Sequence, residues 1–340
     1  MVMITDPYNL RYYTGFRGGE GVAFVLGNGK KYLIVDSRYT EAAGAESDFE
    51  VIEYNNTNPL ADIIRKIIEE SGEKEIGFED KSLIYFEAKK YMEYAGENIT
   101  FKPLGDKLLQ KRQIKNEYEL ECLAEAEAIG DKAFDDILGF LRSGLTEKEV
   151  AAELEYRMKK HGAEGFSFDT ICASGINSSM PHAIPGDKVI EKGDFLTMDF
   201  GCIYKGYCSD MTRTVVIGKA DDKQKEVYET VLEAQMAALD YIKAGLKCCD
   251  VDKCARDIIS AKGYGKYFGH GLGHSVGLYI HESPSLNTRD TTVLQENMIE
   301  TVEPGIYIPG FGGVRIEDMV VVTKTGHRNL ASSPKNLIEI

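Results

Sequence analysis

Two carboxylates, Asp199 and Asp210, flank a tight turn predicted at Lys205-Gly206. Apolar residues alternate with other residues on the approach to this turn, a period typical of a half-buried β-hairpin. Pairing symmetric about positions 204 and 205 is expected, and it would set Asp199 directly opposite Asp210. Opposed carboxylates repel each other in a sheet, and a bound cation would reverse that repulsion. The pair could therefore bind a metal, unless both acids are simply solvated.

A second acidic pair recurs about a hundred residues later, as Glu303 and Glu317 around the Gly-rich turn Pro309–Gly313. Pairing symmetric about position 310 would set Glu303 opposite Glu317. Four acids in one cavity cannot all stay ionised without cations. The matched pairs therefore predict a metal site shared by two hairpins.

Four of the six histidines accompany these acids in Gly- and Pro-rich segments: His182, His270, His274 and His281. The glycines of residues 269–277 disfavour a helix, which argues against a helical zinc motif. His161 and His327 are interpreted as structural. A ligand set rich in oxygen, with one imidazole and no thiolate, suits two Mn²⁺, Co²⁺ or Zn²⁺ ions about 3.5 Å apart.

A duplicated pattern of helices precedes the two acidic hairpins. Long helices are predicted over residues 117–141 and 222–243, and shorter helices follow Gly144-Leu145 and Gly245-Leu246. Each helix pair precedes one acidic hairpin. This repeat predicts a pseudo-twofold axis at which the four carboxylates meet.

The first hundred residues predict a separate α/β module that contains no histidine. A hairpin is expected around Gly27-Asn28-Gly29, and a helix should be capped by Asn58 and end at Gly72. The stretch Tyr8–Phe16 is expected to be a loop. We interpret this module as a scaffold, or as one wall of a site formed elsewhere.

The composition of the 340 residues excludes several classes of partner. A formal net charge of −15 argues against nucleic acid. No apolar run approaches the roughly 20 residues needed to span a bilayer, so no membrane partner is expected. Seven cysteines without a CxxC pair are typical of a reduced, cytoplasmic protein.

Residues 112–340 resemble the pita-bread metallopeptidases, the family of methionine aminopeptidase, aminopeptidase P and prolidase. Residues 1–108 resemble the N-terminal domain of its prolidase and aminopeptidase P branch. The resemblance implies an α+β fold class: a smaller α/β N-terminal domain, and a pita-bread catalytic domain with a duplicated helix pair and antiparallel β-hairpin. The matching stretches are, in order, Ser179–His182, Met198–Gly201, Ser209–Thr214, His270–His274, His281–Glu282, Val302–Tyr307 and Val314–Asp318.

The same resemblance implies a role for each site residue. Two divalent ions, expected to be Mn²⁺ with Co²⁺ or Zn²⁺ as alternatives, would be bound by Asp199, Asp210, His274, Glu303 and Glu317. Glu303 would also act as general base. His182 and His281 would donate to the scissile carbonyl, and His270 would shape the pocket for proline. Arg315 and Tyr307 would orient ligating carboxylates, notably Asp199, and Thr212 would orient Asp210.

The implied activity is hydrolysis of Xaa-Pro bonds in dipeptides or short peptides, through a hydroxide held between the metals, by a homodimer. Xaa-Pro dipeptidase is the leading interpretation, and Xaa-Pro aminopeptidase is the alternative. Some prolidases carry an Arg that binds the substrate carboxylate where this chain has Ser285, which weakens the dipeptidase interpretation. A non-catalytic binding module on the same fold is disfavoured, because such modules usually lose metal ligands.

Overall fold

The computed structural model describes residues 1–340, which divide into two compact units, Met1–Arg112 and Gln113–Ile340. No helix is both long and apolar enough to cross a bilayer.

The first unit is a mixed six-stranded sheet with helices on both faces. The strands are β1 (Val2–Ile4), β2 (Val22–Val25), β3 (Lys31–Asp36), β4 (Glu50–Tyr54), β5 (Glu75–Phe78) and β6 (Thr100–Pro103), in the spatial order β4-β3-β2-β1-β5-β6. The helices are α1 (Pro7–Thr14), α2 (Thr40–Glu46), α3 (Leu60–Ser71) and α4 (Tyr85–Ala95).

Alternation along the strands explains the two layers of helices. Successive side chains of a strand point to opposite faces. Met3 therefore packs in the cluster that contains the apolar face of α3, while its neighbour Ile4 packs in the cluster that contains Leu10 of α1. Helix α3 ends at Gly72, as predicted, but its N-cap is Pro59 rather than Asn58.

Helix α1 corrects the prediction of a loop over Tyr8–Phe16. The Asp6 side chain accepts hydrogen bonds from the backbone N–H groups of Tyr8 and Asn9, and Pro7 occupies the first turn. Both features favour helix initiation. The prediction was wrong because Asp6 and Pro7 together form a helix start signal.

The second unit begins at Gln113, the last residue of the one-turn helix α5 (Gln110–Gln113), and contains two helix pairs and 13 short strands. The helix pairs are α6 (Glu117–Leu138) with α7 (Glu147–Lys160), and α8 (Asp222–Tyr241) with α9 (Cys248–Ala261). The strands are β7 (Gly165–Phe166), β8 (Ile171–Ser174), β9 (Phe195–Phe200), β10 (Cys202–Tyr204), β11 (Tyr207–Cys208), β12 (Met211–Val216), β13 (Gly273–Ser275), β14 (Glu282–Leu286), β15 (Ile299–Val302), β16 (Gly305–Ile308), β17 (Gly312–Arg315), β18 (Asp318–Val322) and β19 (His327–Asn329).

Each helix pair covers its own apolar cluster, as the repeat predicts. In the cluster of the first pair, strand β9 contributes Leu196, Met198 and Phe200. The period of two along a strand then turns Thr197 and Asp199 to the opposite face. There the Thr197 hydroxyl donates to the Gly313 carbonyl, 3.4 Å away in the second hairpin. Burial of one face of β9 therefore directs Asp199 toward the second half of the repeat.

The first hairpin pairs in a different register from the predicted one. Asp199 lies opposite Thr212, so the prediction that it opposes Asp210 is wrong. Lys205 and Gly206 both have positive φ, 47° and 81°, and the turn is centred between them. Each residue therefore pairs with a partner two positions away from the predicted one. Since a displacement of two preserves the face, Asp199 and Asp210 still project to the same side.

The second hairpin pairs in the predicted register. Gly305 lies opposite Arg315, and Val302 lies opposite Asp318. Glu303 and Glu317 occupy the break between these two paired segments. The two acids therefore face each other where the backbone ladder is interrupted.

Candidate metal centre

One cavity of about 400 Å³ collects most of the residues that the sequence singled out. Thr212 lies behind its wall rather than on it. The predicted site residues that line the cavity are Asp199, Asp210, His274, Glu303, Glu317, His182, His270, His281, Arg315 and Tyr307.

The tightest cluster in the cavity is formed by Asp210, His274 and Glu317, whose ligand atoms all lie within 4.8 Å of one another. His274 Nε2 is 3.4 Å from Asp210 Oδ2 and 3.5 Å from Glu303 Oε1. His274 Nδ1 donates to the Ser275 carbonyl oxygen at 3.1 Å. The neutral ring therefore directs its Nε2 lone pair at the carboxylates, the orientation that a metal ligand requires.

Arg315 connects three parts of the site through one guanidinium. Its Nη2 donates to Asp199 Oδ2 at 2.5 Å, its Nη1 to the Tyr307 hydroxyl at 2.8 Å, and its Nε to Thr212 Oγ1 at 3.0 Å. The planar fork of donors can satisfy all three acceptors only in one orientation. The positions of Asp199, Tyr307 and Thr212 are therefore coupled.

Thr212 orients Glu317, not Asp210 as predicted. Its hydroxyl donates to Glu317 Oε2 at 2.6 Å. The backbone explains this choice, because the N–H of Glu317 donates to the Thr212 carbonyl oxygen at 3.1 Å. That contact brings the two hairpins side by side at this point, so the nearest carboxylate belongs to the other hairpin.

The carboxylates of the cluster are deprived of water. Burial, followed by the nearby charge of Glu317, raises the pKa of Asp210 well above its usual range. Burial and the charge of Glu303 do the same for the pKa of Glu317. Burial also raises the pKa of Glu303 to about 8, against the lowering effect of Arg315.

These acids fit a pair of divalent ions. Asp199 Oδ1 is buried and has no hydrogen-bond partner within the protein. Three further desolvated carboxylates and an imidazole lone pair face the same space, and cations would remove their mutual repulsion. An oxygen-rich set with one nitrogen and no sulfur suits hard or borderline divalent metals.

Three further imidazoles line the cavity around this cluster. Burial, reinforced by Arg315, lowers the pKa of His270 to about 4, so its ring is neutral. His270 Nδ1 donates to the Gly271 carbonyl oxygen at 2.7 Å, and the Tyr307 hydroxyl donates to His270 Nε2 at 3.0 Å. His281 packs edge-on against His274, with ring centroids 4.7 Å apart. His182 is exposed at the cavity surface.

The remaining two histidines lie outside the cavity lining. His161 ends α7 and its Nε2 is 3.0 Å from Asp136 Oδ2. His327 begins β19 at the edge of its sheet. Both positions agree with the structural interpretation given to them from the sequence.

Some residues that support the site were missed at the sequence level. Thr301 donates to Glu303 Oε1 at 3.2 Å and accepts the N–H of His274 at 3.0 Å. Glu127 of α6 is fully buried and accepts the N–H of Asp210 at 3.3 Å. An acid on the apolar face of a long helix is the signal that could have identified Glu127. Thr301 carries no comparable signal, since Thr is ordinary in a strand.

An apolar wall of the same cavity was also missed. It includes Ile184, whose side chain is 88 % exposed at the cavity rim. A large apolar side chain exposed beside polar groups is typical of a binding surface. The wall consists of Phe168, Ile171, Pro181, Ala183, Ile184 and Pro185.

Comparisons with known proteins agree with this site. Residues 121–324 match metallopeptidase family M24, and residues 1–114 match the Creatinase/Prolidase N-terminal domain. The Xaa-Pro dipeptidase of Pyrococcus furiosus is 40% identical over 338 residues, 99% of this chain and 94% of that protein. The solved Xaa-Pro dipeptidase from Bacillus anthracis has a TM-score of 0.96 and 44% identity, and covers 100% of this chain and 94% of its own. The solved X-Pro aminopeptidase from Thermotoga maritima has a TM-score of 0.94 and 40% identity, and covers 100% of this chain and 97% of its own.

The fold and the site define a pita-bread metallohydrolase that carries an N-terminal domain. The chain belongs to metallopeptidase family M24. The predicted family and the predicted α+β fold class are confirmed. Membership of this family implies divalent metal ions.

Proposed function

We propose that this chain is an Xaa-Pro dipeptidase, a prolidase, that depends on two divalent ions. One observation carries the proposal: five ligand side chains and three further imidazoles converge on one cavity of about 400 Å³. Relatives that are Xaa-Pro dipeptidases match the whole chain at 40–41% identity. In this proposal residues 112–340 form the catalytic domain, and residues 1–108 form the N-terminal domain.

The five ligands would hold the ions between the two hairpins. The side chains that would hold them are those of Asp199, Asp210, His274, Glu303 and Glu317, which all line the cavity. Asp210 and Glu317 are the most buried acids of the set, at 4 % and 1 % exposure. Bound divalent ions activate water at neutral pH and polarise the carbonyl of the bond to be cut.

Glu303 is assigned the proton transfer. Its Oε1 accepts from the Thr301 hydroxyl at 3.2 Å, and the N–H of Glu303 donates to the Leu272 carbonyl oxygen at 2.8 Å. The carboxylate is thereby fixed at the edge of the cavity. There it can accept a proton from the attacking water and return it to the leaving proline nitrogen.

His281 and His182 are assigned to the scissile carbonyl. Both rings line the cavity, and the ring of His281 packs against that of His274. An N–H donor aimed at the carbonyl oxygen stabilises the negative charge that develops on that atom in the transition state. His270 is assigned to the proline side of the pocket, where Tyr307 holds its ring in place.

The first test compares hydrolysis of Ala-Pro, Ala-Pro-Gly and Ala-Ala by the metal-loaded protein. An Xaa-Pro dipeptidase cleaves Ala-Pro and leaves Ala-Pro-Gly and Ala-Ala intact. Turnover of Ala-Pro-Gly at a comparable rate would replace the dipeptidase assignment with Xaa-Pro aminopeptidase. Absence of turnover on every Xaa-Pro peptide would refute both assignments.

Xaa-Pro aminopeptidase is the second candidate, and Ser285 favours it. Ser285 lies opposite His274 in the β13–β14 pair. It is absent from the residues that line the cavity. A short neutral side chain there supplies no cation for the free carboxylate of a dipeptide.

Three finer assignments complete the proposal. We assign Mn²⁺ as the working metal, with Co²⁺ and Zn²⁺ as alternatives that reconstitution of the chelator-treated protein would separate. We assign a homodimer, which light scattering would test. We also assign the protein to the cytoplasm, since all seven cysteines are free thiols.

A further inference from the structure

Lys115 is buried inside the catalytic unit, just before α6. It is 2 % exposed, although an ammonium group is costly to remove from water unless it is paired. Its Nζ lies 3.5 Å from Glu282 Oε2 and 3.2 Å from Ser275 Oγ. The side chains of Lys115 and Glu282 are 1 % and 7 % exposed, so the ion pair is almost fully desolvated.

Both partners of Lys115 stand next to an imidazole of the active site. Glu282 directly follows His281, and Ser275 directly follows His274. The carbonyl oxygen of Ser275 accepts the Nδ1 proton of His274. One buried cation therefore contacts both chain segments that carry these two rings.

The carboxylate of Glu282 organises the loop that ends at His281. Its Oε1 accepts the backbone N–H of Tyr279 at 3.2 Å. A Cβ atom on Gly277 would lie only 2.6 Å from the same oxygen. The carboxylate therefore fills the space beside Gly277, and the loop folds around it. The Gly277 carbonyl oxygen accepts the N–H of Cys208, which fastens the loop to β11.

Further buried acids surround Lys115. Glu300 of β15 is fully buried, and neither of its carboxylate oxygens has a hydrogen-bond partner. Burial raises the pKa of Glu300, and the charge of Lys115 opposes that effect. Burial raises the pKa of Glu119 as well, again opposed by Lys115. Loss of the Lys115 charge would leave the Glu282 carboxylate buried without a counter-charge, which favours its displacement toward water.

We propose that Lys115 and Glu282 are positioning residues that aim His281 into the cavity. The ion pair fixes the Glu282 carboxylate, the carboxylate fixes the loop, and the loop places the imidazole. The contact with Ser275 adds a weaker constraint on His274. This inference rests on the proposed function, because it takes His281 to contact the scissile carbonyl.

The kinetic test uses Lys115→Met, Glu282→Gln and the double variant, each loaded with Mn²⁺ and assayed on Ala-Pro. We expect kcat to fall roughly ten- to a hundred-fold, since a catalytic group displaced by about 1 Å costs up to that factor. KM and bound metal should stay within about two-fold of the wild-type values. Each single variant should also lose roughly 10 °C of Tm, because it leaves one buried charge unpaired.

The double variant distinguishes a loss of kcat caused by displacement of His281 from a loss caused by lower stability. It removes both charges, so its Tm should recover while its kcat stays low. Leu154→Ala is the matched control, because Leu154 is fully buried in the cluster beneath α6 and α7 and does not touch the loop. Its Tm should fall without a loss of kcat. Ser275→Ala, which removes only the hydroxyl contact, should lower kcat less than Lys115→Met does.

An NMR measurement makes the test independent of turnover. The imidazole resonances of His281 are identified by their loss in His281→Ala, and they should shift in Lys115→Met and in the double variant. Wild-type kcat and unshifted His281 resonances in both variants would overturn the proposal. If the wild-type protein cleaves no Xaa-Pro peptide, the proposed function is wrong. The His281 resonances then still show whether Lys115 and Glu282 position the His281 ring.

Discussion

The two acidic hairpins are similar in outline and differ in how they support their carboxylates. In the second hairpin Glu303 and Glu317 share one break in a continuous register. In the first, Asp210 likewise lies in a break of a continuous register, between β11 and β12, but Asp199 lies within the paired strands opposite Thr212. Duplication has therefore preserved the location of the acids but not the way each is held.

Most of the support passes from one hairpin to the other. Arg315 of the second hairpin holds Asp199 of the first, and Thr212 of the first hairpin holds Glu317 of the second. Glu303 is the exception, because Thr301 of its own hairpin donates to it. Neither hairpin alone could form half of the site, which distinguishes this arrangement from two independent ligand pairs.

The largest expected effect comes from Glu303→Ala. This variant removes a proposed ligand together with the proposed proton carrier, so kcat/KM should fall by about 10⁴-fold on Ala-Pro. Bound metal, measured by elemental analysis after gel filtration, should fall as well.

His182→Ala provides the contrast, because His182 lines the cavity without belonging to either hairpin. Activity should fall by about 10²–10³-fold through loss of one donor, while bound metal stays at the wild-type level. Equal metal loss in both variants would mean that His182 is a ligand and that the assignment of roles is wrong.

Arg315→Met tests the support that crosses from the second hairpin to the first. It leaves Asp199, Tyr307 and Thr212 without their shared donor, so metal affinity should weaken by about 10–100-fold. Competition with a fluorescent chelator measures this change. Arg315→Lys keeps the charge but loses the fork of donors, and it should restore only part of the affinity. Full affinity in Arg315→Lys would show that charge alone matters.

Two threonine variants compare hydrogen bonds between the hairpins with those inside one. Thr212→Val removes a hydroxyl that donates to the other hairpin, and Thr301→Val removes one that donates within its own hairpin. Each removes a hydroxyl donor to a carboxylate, worth about 1–2 kcal/mol, so metal affinity should fall roughly ten-fold. Thr301→Val should cost more, since Thr301 also accepts the N–H of His274. Calorimetric titration with Mn²⁺ measures both. A larger loss of metal affinity in Thr212→Val would show that the contact between the hairpins contributes more to metal binding than the contact within one hairpin.

The smallest effect concerns the turn that sets the register of the first hairpin. Lys205 has φ of +47°, a region that Asn occupies more readily, and Asn-Gly is favoured in such turns. Lys205→Asn should stabilise the chain by about 0.5–1 kcal/mol and raise Tm by about 2 °C. Gly206→Ala, at φ of +81°, should lower Tm by a similar amount. A lower Tm in Lys205→Asn would show that other contacts of Lys205 outweigh the backbone preference.

The sequence predicts which residues line this cavity better than it predicts the hydrogen bonds that support them. Pattern and spacing indicated both hairpins, because alternation and turn residues are local signals. The register of the first hairpin depends on which two residues carry positive φ, and that choice changes every partner by two. Thr212 was assigned to Asp210, its neighbour in the sequence, whereas its hydrogen-bond partner Glu317 lies 105 residues away. Thr301 and Lys115 gave no local signal, because their roles depend on contacts made only in the folded chain.

The bridge made by Arg315 has a thermodynamic consequence. It joins Asp199, a proposed metal ligand, to Tyr307 and, through Tyr307, to His270, which is proposed to line the proline side of the pocket. Where two binding events are coupled through a shared group, each changes the affinity of the other by the same factor. If an occupant of the proline side tightens metal binding by some factor, bound metal must tighten the hold on that occupant by the same factor. Under the proposed roles, the guanidinium would make ion and substrate mutual effectors within a single cavity.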